Sequence, residues 1–371
     1  MTVPFIPPKR TLMGPGPSDV PQRVLDAMAR PTIGHLDPAF VELMEQIKAM
    51  LRMAFKTENA LTFPVSAPGS AGMEMCFVNL VEPGDKVIVC RNGVFGGRML
   101  ENVKRTGGVP VMVDDAWGKP VDPQKVREAF KANPDAKVLA FVHAETSTGA
   151  QSDAATLAKI AQEYGALTIM DCVTSLGGTP IHLDAWGIDA AYSGSQKCLS
   201  CTPGLSPVSF SERAIEKIKA RKTPVQSWFL DLNLVLGYWQ SAGKRTYHHT
   251  APINPMYGLH ESLVILEEEG LENAWARHRA MHDQLKAGLE AMGLKYVVEE
   301  AARLPQLNSI YVPEGVDEAA IRARLLNEFN LEIGAGLGDM AGKIWRIGLM
   351  GHTARQENVD YCLKALKACL P

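Results

Sequence analysis

The sequence predicts an α/β protein with a largely parallel sheet in a large domain and a smaller α/β domain toward the C-terminus. Short apolar segments alternate with helical segments between about residues 60 and 210, and turn residues separate them. The pattern changes after about residue 255, where longer helical segments dominate. The length of 371 residues also favours two domains over a single core.

The predicted strands are short apolar runs that suit a sheet covered by helices on both faces. They are ALTFPVS (60–66), KVIVCR (86–91), VPVMV (109–113), KVLAFVHA (137–144), ALTIMD (166–171) and SPVSF (206–210). The predicted helices between them include 71–81, 123–133 and 154–165. Because open parallel sheets bind ligands at the carboxyl ends of their strands, we expect functional residues to gather there.

The C-terminal part opens with a long amphipathic helix. Over 271–292, mostly apolar side chains recur at spacings of three and four and form one continuous stripe. The elements that follow are predicted strands near 306–312 and 343–349 and predicted helices at 317–328 and 354–369. The expected division is an N-terminal arm (1–20), a large domain (21–269) and a small C-terminal domain (270–371).

Composition argues against several classes of protein. The net charge is −3 and no block of Lys or Arg stands out, so we expect no nucleic-acid partner. The segment MTVPFIPP has three prolines and no apolar run, so we expect neither a signal peptide nor a membrane anchor. The seven cysteines show no framework spacing, which indicates free thiols and a cytoplasmic protein.

Lys197 has an unusual setting, since it follows small hydroxyl and glycine residues in YSGSQKCLS (192–200). Asp171 closes the predicted strand ALTIMD, so both side chains can lie at the same edge of the sheet. A lysine amine condenses with an aldehyde, and a carboxylate pairs with a pyridine nitrogen and keeps it protonated. The two residues therefore suit a pyridoxal-phosphate site, although an ordinary ion pair would use the same residue types.

Two further segments suit the binding of anions. SAPGSAGME (66–74) is a glycine-rich turn between a strand and a helix, where backbone N–H groups can hold a phosphate, although a plain turn has the same pattern. In KIWRIGLMG (343–351), Arg346 is flanked by apolar residues and requires a carboxylate partner. That partner is either a substrate or an internal salt bridge.

No metal site is predicted. The adjacent histidines of YHHT (247–250) point to opposite sides of an extended chain. His278 and His282 have the spacing of a zinc helix but lie on the apolar stripe, so we expect them to pack in a core or an interface. Cys198 and Cys201 have no second pair at metal spacing.

The order of the motifs resembles that of the class V aminotransferases, above all the alanine–glyoxylate and serine–glyoxylate enzymes, over about residues 10–369. The motifs are LMGPGPS (12–18), VEPGDKVIV (81–89), NGVFGGR (92–98), HAETSTG (143–149), MDCVTSLGGTPI (170–181), YSGSQKCL (192–199), YHHTAP (247–252) and WRIGLMG (345–351). The resemblance implies the type I fold of pyridoxal-phosphate-dependent transferases, with a mostly parallel seven-stranded sheet.

The resemblance also implies roles for individual residues. Lys197 is the implied Schiff-base lysine and Asp171 the partner of the pyridinium nitrogen. The other implied cofactor-binding residues are Pro68, Gly69 and Ser70 in the phosphate turn, Gln196 beside it, Phe95 as the stacking ring, and Thr146 near the phenolic oxygen. Tyr247 and Thr250 would reach the phosphate of the neighbouring subunit, which implies a homodimer. Arg346 and Gly16 are the implied substrate-binding residues.

The activity implied is pyridoxal-phosphate-dependent transfer of an amino group from alanine or serine to glyoxylate or pyruvate, by way of a Lys197 aldimine. Pyridoxamine–pyruvate and ureidoglycine–glyoxylate transfer on the same scaffold are alternatives. Pyridoxamine–pyruvate aminotransferase has a glutamate where this chain has Pro68. A cysteine desulfurase would need a reactive cysteine in 332–342, where there is none, and a non-enzymatic binding module would not need Lys197, Asp171 and Arg346 together.

Overall fold

The computed structural model describes residues 2–239 and 245–371. The strands are β1 (Thr11–Leu12), β2 (Leu61–Val65), β3 (Lys86–Arg91), β4 (Val109–Asp114), β5 (Val138–Val142), β6 (Ala144–Glu145), β7 (Ala150–Gln151), β8 (Leu167–Asp171), β9 (Ala190–Tyr192), β10 (Ser206–Phe210), β11 (Leu307–Tyr311), β12 (Leu331–Glu332), β13 (Gly334–Ala335) and β14 (Ile344–Gly348). The helices are α1 (Gln22–Met28), α2 (Pro38–Phe55), α3 (Gly69–Leu80), α4 (Val94–Arg105), α5 (Pro123–Ala132), α6 (Ala154–Glu163), α7 (Leu183–Trp186), α8 (Glu212–Lys219), α9 (Leu232–Trp239), α10 (Ile253–Glu269), α11 (Leu271–Ala291), α12 (Glu318–Phe329) and α13 (Gln356–Cys369).

A seven-stranded sheet with the order β2-β10-β9-β8-β5-β3-β4 forms the centre of the large domain. Strand β10 runs opposite to the other six strands, which share one direction, so the predicted mostly parallel sheet is confirmed. Every residue of β2, β5, β8, β9 and β10 is buried, which explains why these strands are continuous apolar runs rather than alternating ones. The six predicted strands occur within two residues of their predicted bounds.

Several elements were not predicted. Helix α4 begins within NGVFGGR, where the glycines lower helix propensity and hide the pattern. Helix α2 has a clearer beginning, because the Asp37 side chain accepts a hydrogen bond of 2.9 Å from the Ala39 N–H and Pro38 occupies the first turn. Helix α10 is buried along much of its length and leads directly into α11.

The C-terminal part has its own apolar cluster and a three-stranded antiparallel sheet with the order β11-β14-β13. Helix α11 buries most of the predicted stripe, including His278 and His282. Its first turn packs with Leu271 against the large apolar cluster of the N-terminal part, whereas Leu285 and Leu289 belong to the C-terminal cluster. The N-terminal segment also contributes, because β1 pairs in parallel with β12 and Met13 belongs to the C-terminal cluster. The division at residues 20 and 270 stays a prediction.

The remaining expectations concern membranes, disulfides and metals. None of the described helices is both long and apolar enough to cross a bilayer. All seven cysteines are buried and free, as the spacing predicted. Within residues 2–239 and 245–371, no group of three or more metal-ligating side chains comes together.

Candidate active site

A cavity of about 200 Å³ lies at the carboxyl ends of β8 and β9, beside the first turns of α3 and α4. Its lining residues are Pro68, Gly69, Ser70, Met73, Phe95, Arg98, Thr146, Asp171, Val173, Tyr192, Gln196 and Lys197. The fold thus brings together residues that the sequence separates by up to about 130 positions. Of the predicted site residues, Gly16, Arg346, Tyr247 and Thr250 lie outside this lining.

The small residues that precede Lys197 build the turn that holds it. Ser193 and Ser195 are completely buried, and the Ser195 hydroxyl donates to the Thr202 carbonyl at 2.6 Å. The Ser206 hydroxyl donates to the Ser193 carbonyl at 2.7 Å, which ties the turn to β10. Larger side chains would not fit in this space, so the composition of the segment follows from its burial.

Lys197 is itself 9% exposed, and its amine donates to the Pro15 carbonyl. Burial and the nearby Arg346 charge lower the pKa of Lys197 to about 8. A substantial fraction of the amine is therefore neutral near pH 8, and only the neutral amine is a nucleophile. The lysine that the sequence singled out thus has the chemistry that covalent attachment requires.

Asp171 is the last residue of β8 and is 3% exposed. Its carboxylate accepts hydrogen bonds from the Val173 N–H at 2.9 Å and the Tyr192 hydroxyl at 2.8 Å. Burial nevertheless raises the pKa of Asp171 to about 7, because these two neutral donors do not replace the lost water. The carboxyl group lines the cavity and, within the part of the chain that the structure describes, forms no ion pair, which suits a ligand with a protonated ring nitrogen.

The other end of the cavity has neutral hydrogen-bond donors. Gly69 and Ser70 begin the 12-residue helix α3, and the first N–H groups of a helix have no partners within the helix. The Gly72 position has no room for a Cβ atom because Ser206 and Tyr192 pack against it. The Ser66 hydroxyl, however, is paired with His249 Nε2 at 2.7 Å rather than facing the turn. This end suits a phosphate, to which the first backbone N–H groups of α3 can donate.

Arg346 lies on the central strand of the small sheet and is 5% exposed. Its Nε donates to the Ala335 carbonyl at 2.7 Å, and its Nη1 donates to the Thr146 carbonyl at 2.9 Å. No carboxylate of the described residues lies within 4.0 Å of the guanidinium, so the internal salt bridge that the sequence left open is not formed there. Burial lowers the pKa of Arg346 to about 10, still high enough to keep it charged at neutral pH.

Gly16 brings the N-terminal segment against the lysine. A Cβ atom at this position would overlap the Lys197 amine and lie 2.6 Å from its Cδ, and the φ angle of +96° is one that favours glycine. The segment is held in place because the Ser18 N–H donates to the Gln196 carbonyl at 2.9 Å and the Ser18 hydroxyl to the Lys197 carbonyl at 2.8 Å. Gly16 is therefore next to the Lys197 amine rather than in the cavity lining.

Replacing Gly16 with alanine is expected to lower kcat/KM by about 10- to 100-fold, since the new methyl group displaces the Lys197 amine and the backbone is strained by about 1–2 kcal/mol. Steady-state kinetics measures this effect, and circular dichroism checks that the fold persists. Gly84→Ala is the control, because Gly84 also has a positive φ angle (+87°) but open space around it. Equal losses in both variants would contradict the proposed contact.

Tyr247 and Thr250 are exposed and lie outside the cavity of their own chain. The Tyr247 side chain is 63% exposed, and its hydroxyl is 3.4 Å from the Thr250 hydroxyl. Between them, His248 is buried and stacks on Trp228 with ring centroids 4.6 Å apart. The assignment of Tyr247 and Thr250 to a partner's site stays a prediction.

Sequence reasoning missed four lining residues, namely Met73, Arg98, Val173 and Tyr192. Tyr192 was detectable in principle, since it ends a strand next to β8 and pairs in register with Asp171. Arg98 follows Phe95 by one helical turn, but the glycines around it concealed helix α4. A further missed acid is Glu145, which is fully buried, accepts from the Ser147 N–H at 3.0 Å and packs against Gly93.

The histidine and cysteine pairs have structural roles. His278 Nδ1 bonds to the Ala274 carbonyl at 2.6 Å, and His278 Nε2 accepts the Gly351 N–H at 2.9 Å, so the predicted core packing is confirmed. His282 Nδ1 bonds to Asn308 at 2.6 Å. Cys198 is buried, and burial raises the pKa of its thiol to about 12, which leaves it unreactive.

A lysine and a carboxylate near the carboxyl ends of adjacent strands, opposite a helix N-terminus, match the site of a pyridoxal-phosphate-dependent enzyme of fold type I. A sequence model of the family described as aminotransferase class-V matches residues 11–361. The chain belongs to this family and is a pyridoxal-phosphate-dependent aminotransferase.

Known relatives cover nearly the whole chain. The alanine–glyoxylate aminotransferase of Oryctolagus cuniculus is 41% identical over 99% of this chain and 94% of its own. The (S)-ureidoglycine–glyoxylate transaminase of Bacillus subtilis is 37% identical over 98% of this chain and 91% of its own. A crystal structure of alanine–glyoxylate aminotransferase from Nostoc sp. superimposes with a TM-score of 0.98, at 47% identity, over 100% of this chain and 98% of that one.

Proposed function

We propose that this aminotransferase transfers the amino group of a small amino acid, alanine or serine, to glyoxylate or pyruvate. The main support is that Lys197 and Asp171 share one buried cavity while Arg346, close by, has no carboxylate partner among the described residues. The names of the relatives point in the same direction, since both alanine–glyoxylate and ureidoglycine–glyoxylate transaminases are similar over nearly the whole chain.

The residues present fit pyridoxal phosphate. Lys197 would attach it, Asp171 would pair with its ring nitrogen, and Phe95 would stack on its ring. The phosphate would lie at Gly69, Ser70 and Gln196, next to Pro68, with Thr146 near the phenolic oxygen. When bound, this cofactor supplies an electron-accepting ring that makes the substrate Cα proton removable.

The chain itself supplies binding and proton transfer. Arg346 holds the substrate carboxylate through two parallel hydrogen bonds, which orients the Cα–H bond toward the cavity. Lys197, once its amine is free, would act as the base that removes the Cα proton and as the acid that gives it back. Its lowered pKa of about 8 keeps part of the amine in the basic form near neutral pH. A single arginine suits donors and acceptors that have one carboxylate.

We also propose a cytoplasmic homodimer in which Tyr247 and Thr250 reach the partner's phosphate. Both side chains are exposed and outside their own cavity, which supports a role across an interface. The seven free cysteines support a reducing compartment. Pyridoxamine–pyruvate transfer ranks lower because Pro68 replaces the glutamate of that enzyme, and a desulfurase ranks lowest because residues 332–342 contain no cysteine.

A donor panel tests the proposed substrates. The cofactor-loaded enzyme is mixed with alanine, serine, ureidoglycine or pyridoxamine, each without an acceptor, and conversion of the cofactor is followed by its absorbance. We expect alanine or serine to convert the cofactor fastest. If ureidoglycine or pyridoxamine converted the cofactor fastest, the proposed donor would be wrong. If none of the four amines converted it, aminotransfer from this group of donors would be contradicted.

Arg346→Lys and Arg346→Ala test the carboxylate site. Loss of a charge-assisted hydrogen-bonded pair costs about 1.5–3 kcal/mol, so we expect Arg346→Ala to lower kcat/KM by about 10- to 100-fold, chiefly through KM. Arg346→Lys keeps the charge but cannot form the two parallel hydrogen bonds, so its kcat/KM should lie between those of the wild type and Arg346→Ala. The check is to measure KM for alanine and for alanine amide, which lacks the carboxylate. The substitutions should raise KM for alanine and leave KM for the amide unchanged. An equal loss for both would indicate general damage to the site.

A further inference from the structure

We propose that Arg98 binds the cofactor phosphate and is the positively charged residue that this chain provides for it. The proposal rests on the proposed function, because it assumes that the cavity holds pyridoxal phosphate. It concerns a residue to which neither the motifs nor the family resemblance assigned a role.

Arg98 lies in the wall of the same cavity as Lys197 and Asp171. It follows Phe95 by one turn of α4, so the two side chains share a face of the helix. Arg98 is exposed, and its guanidinium carbon is 4.8 Å from the centroid of the Phe95 ring, a cation–π contact that restricts the long side chain. The cation is therefore placed next to the ring that is proposed to stack on the cofactor.

The neighbouring helix puts Arg98 at the phosphate end. Asn102, one turn after Arg98, donates to Met73 Sδ at 3.4 Å, and Met73 lies one turn after Ser70 on α3. Both helices follow strands that run in the same direction, so they begin at the same edge of the sheet. Arg98 consequently lies at about the height of Ser70, where α3 begins.

Arg98 differs from the arginines on either side of it in the sequence. Arg91 pairs with Asp114 at 2.7 Å, and Arg105 lies 3.8 Å from Glu101. Among the residues that the structure describes, no carboxylate lies within 4.0 Å of the Arg98 guanidinium. Arg98 is therefore available to an external anion.

The charges of the cavity explain why such a cation is needed. A phosphate monoester carries a charge of about −1.5 to −2 at neutral pH, whereas a helix N-terminus supplies only about half a positive charge. The donors at Gly69, Ser70 and Gln196 are neutral, and Pro68 has no N–H to add. Lys197 is the other cation in the described lining, and it is committed to the aldehyde. Arg98 thus offsets the negative charge of the phosphate, while Asp171 offsets the positive charge of the ring nitrogen.

Two ligands that differ only in the phosphate separate this role from stacking. The cofactor-free protein is titrated with pyridoxal phosphate and with pyridoxal, which lacks the phosphate, and binding is followed by absorbance. Arg98→Ala is expected to weaken binding of pyridoxal phosphate by about 10- to 100-fold, as for a hydrogen-bonded charge, and to leave pyridoxal binding unchanged. Arg98→Lys should restore part of the loss. Arg105→Ala, on the same helix and 80% exposed at the side chain, is the control.

Inorganic phosphate provides a second readout that does not involve the aldehyde. It should raise the thermal unfolding midpoint of the cofactor-free wild type and of Arg105→Ala, but not that of Arg98→Ala. The proposal would be overturned if Arg98→Ala lost affinity for pyridoxal phosphate and for pyridoxal equally, or lost affinity for neither. If the wild type bound neither ligand, the proposed function itself would fail, a result distinct from any that concerns Arg98 alone.

Discussion

Lys197→Ala is expected to abolish steady transamination, because the variant loses both the proposed attachment point of the cofactor and the proposed base that moves the Cα proton. Loss of proton transfer alone corresponds to about 10²- to 10⁴-fold in kcat. The wild type, after reduction with borohydride, should gain the mass of one reduced cofactor on the peptide that contains Lys197. The variant should show no such gain, although Asp171 and the phosphate end still allow noncovalent binding.

The control for this experiment is Lys104→Ala. Lys104 lies on α4 with a side chain that is 54% exposed and 3.5 Å from Glu101, so its removal should change neither activity nor the labelled mass. Lys197→Ala should also keep its fold, since the amine makes one hydrogen bond, to the Pro15 carbonyl, at the rim of the cavity. A fully active Lys197→Ala enzyme would rule out the mechanism. If the reduced cofactor were found on another lysine of the wild type, Lys197 would not be the attachment point.

Asp171→Asn has the second-largest expected effect. The amide is close in size and can still accept from the Val173 N–H, but it has no charge to stabilise a protonated ring nitrogen. Electrostatic stabilisation by one such group is worth about 10²- to 10³-fold in kcat, and we expect a loss of that order. Asp189→Asn is the comparison, because Asp189 is also buried but is 3.2 Å from Arg213, away from the cavity lining. A loss of the same size in both variants would point to general damage.

The stability of the cofactor-free protein gives an independent test of Asp171. Its pKa is raised from the ordinary value of 3.8 to about 7, so the folded state binds more protons than the unfolded state between these pH values. This residue therefore makes the folded protein less stable as the pH rises from about 4 to 7, and the penalty stays constant above. The unfolding midpoint of cofactor-free Asp171→Asn minus that of the wild type should therefore increase as the pH rises from 5 to 8. An unchanged difference would show that Asp171 is not desolvated.

The strands were predictable because nearly all of their residues are buried. Segments such as VLAFV in β5 are apolar throughout, and that pattern needs no tertiary information. Helix α4 was missed because its first turn contains two glycines, and its amphipathic pattern is visible only once Met99 and Val103 are seen to be buried. Phe95 was placed by resemblance alone, whereas Arg98, one turn later, required the helix itself.

The sequence by itself determined the alternating architecture and the aminotransferase family, and it predicted Lys197, Asp171 and Arg346 as site residues. These properties depend on local patterns and on motifs in a fixed order. The tertiary structure decided which of these residues meet. It placed Gly16 against Lys197, paired Ser66 with His249, and left Arg346 without a carboxylate partner among the described residues. Such facts depend on contacts between distant segments, and the sequence pattern of one segment contains no information about the distance to another.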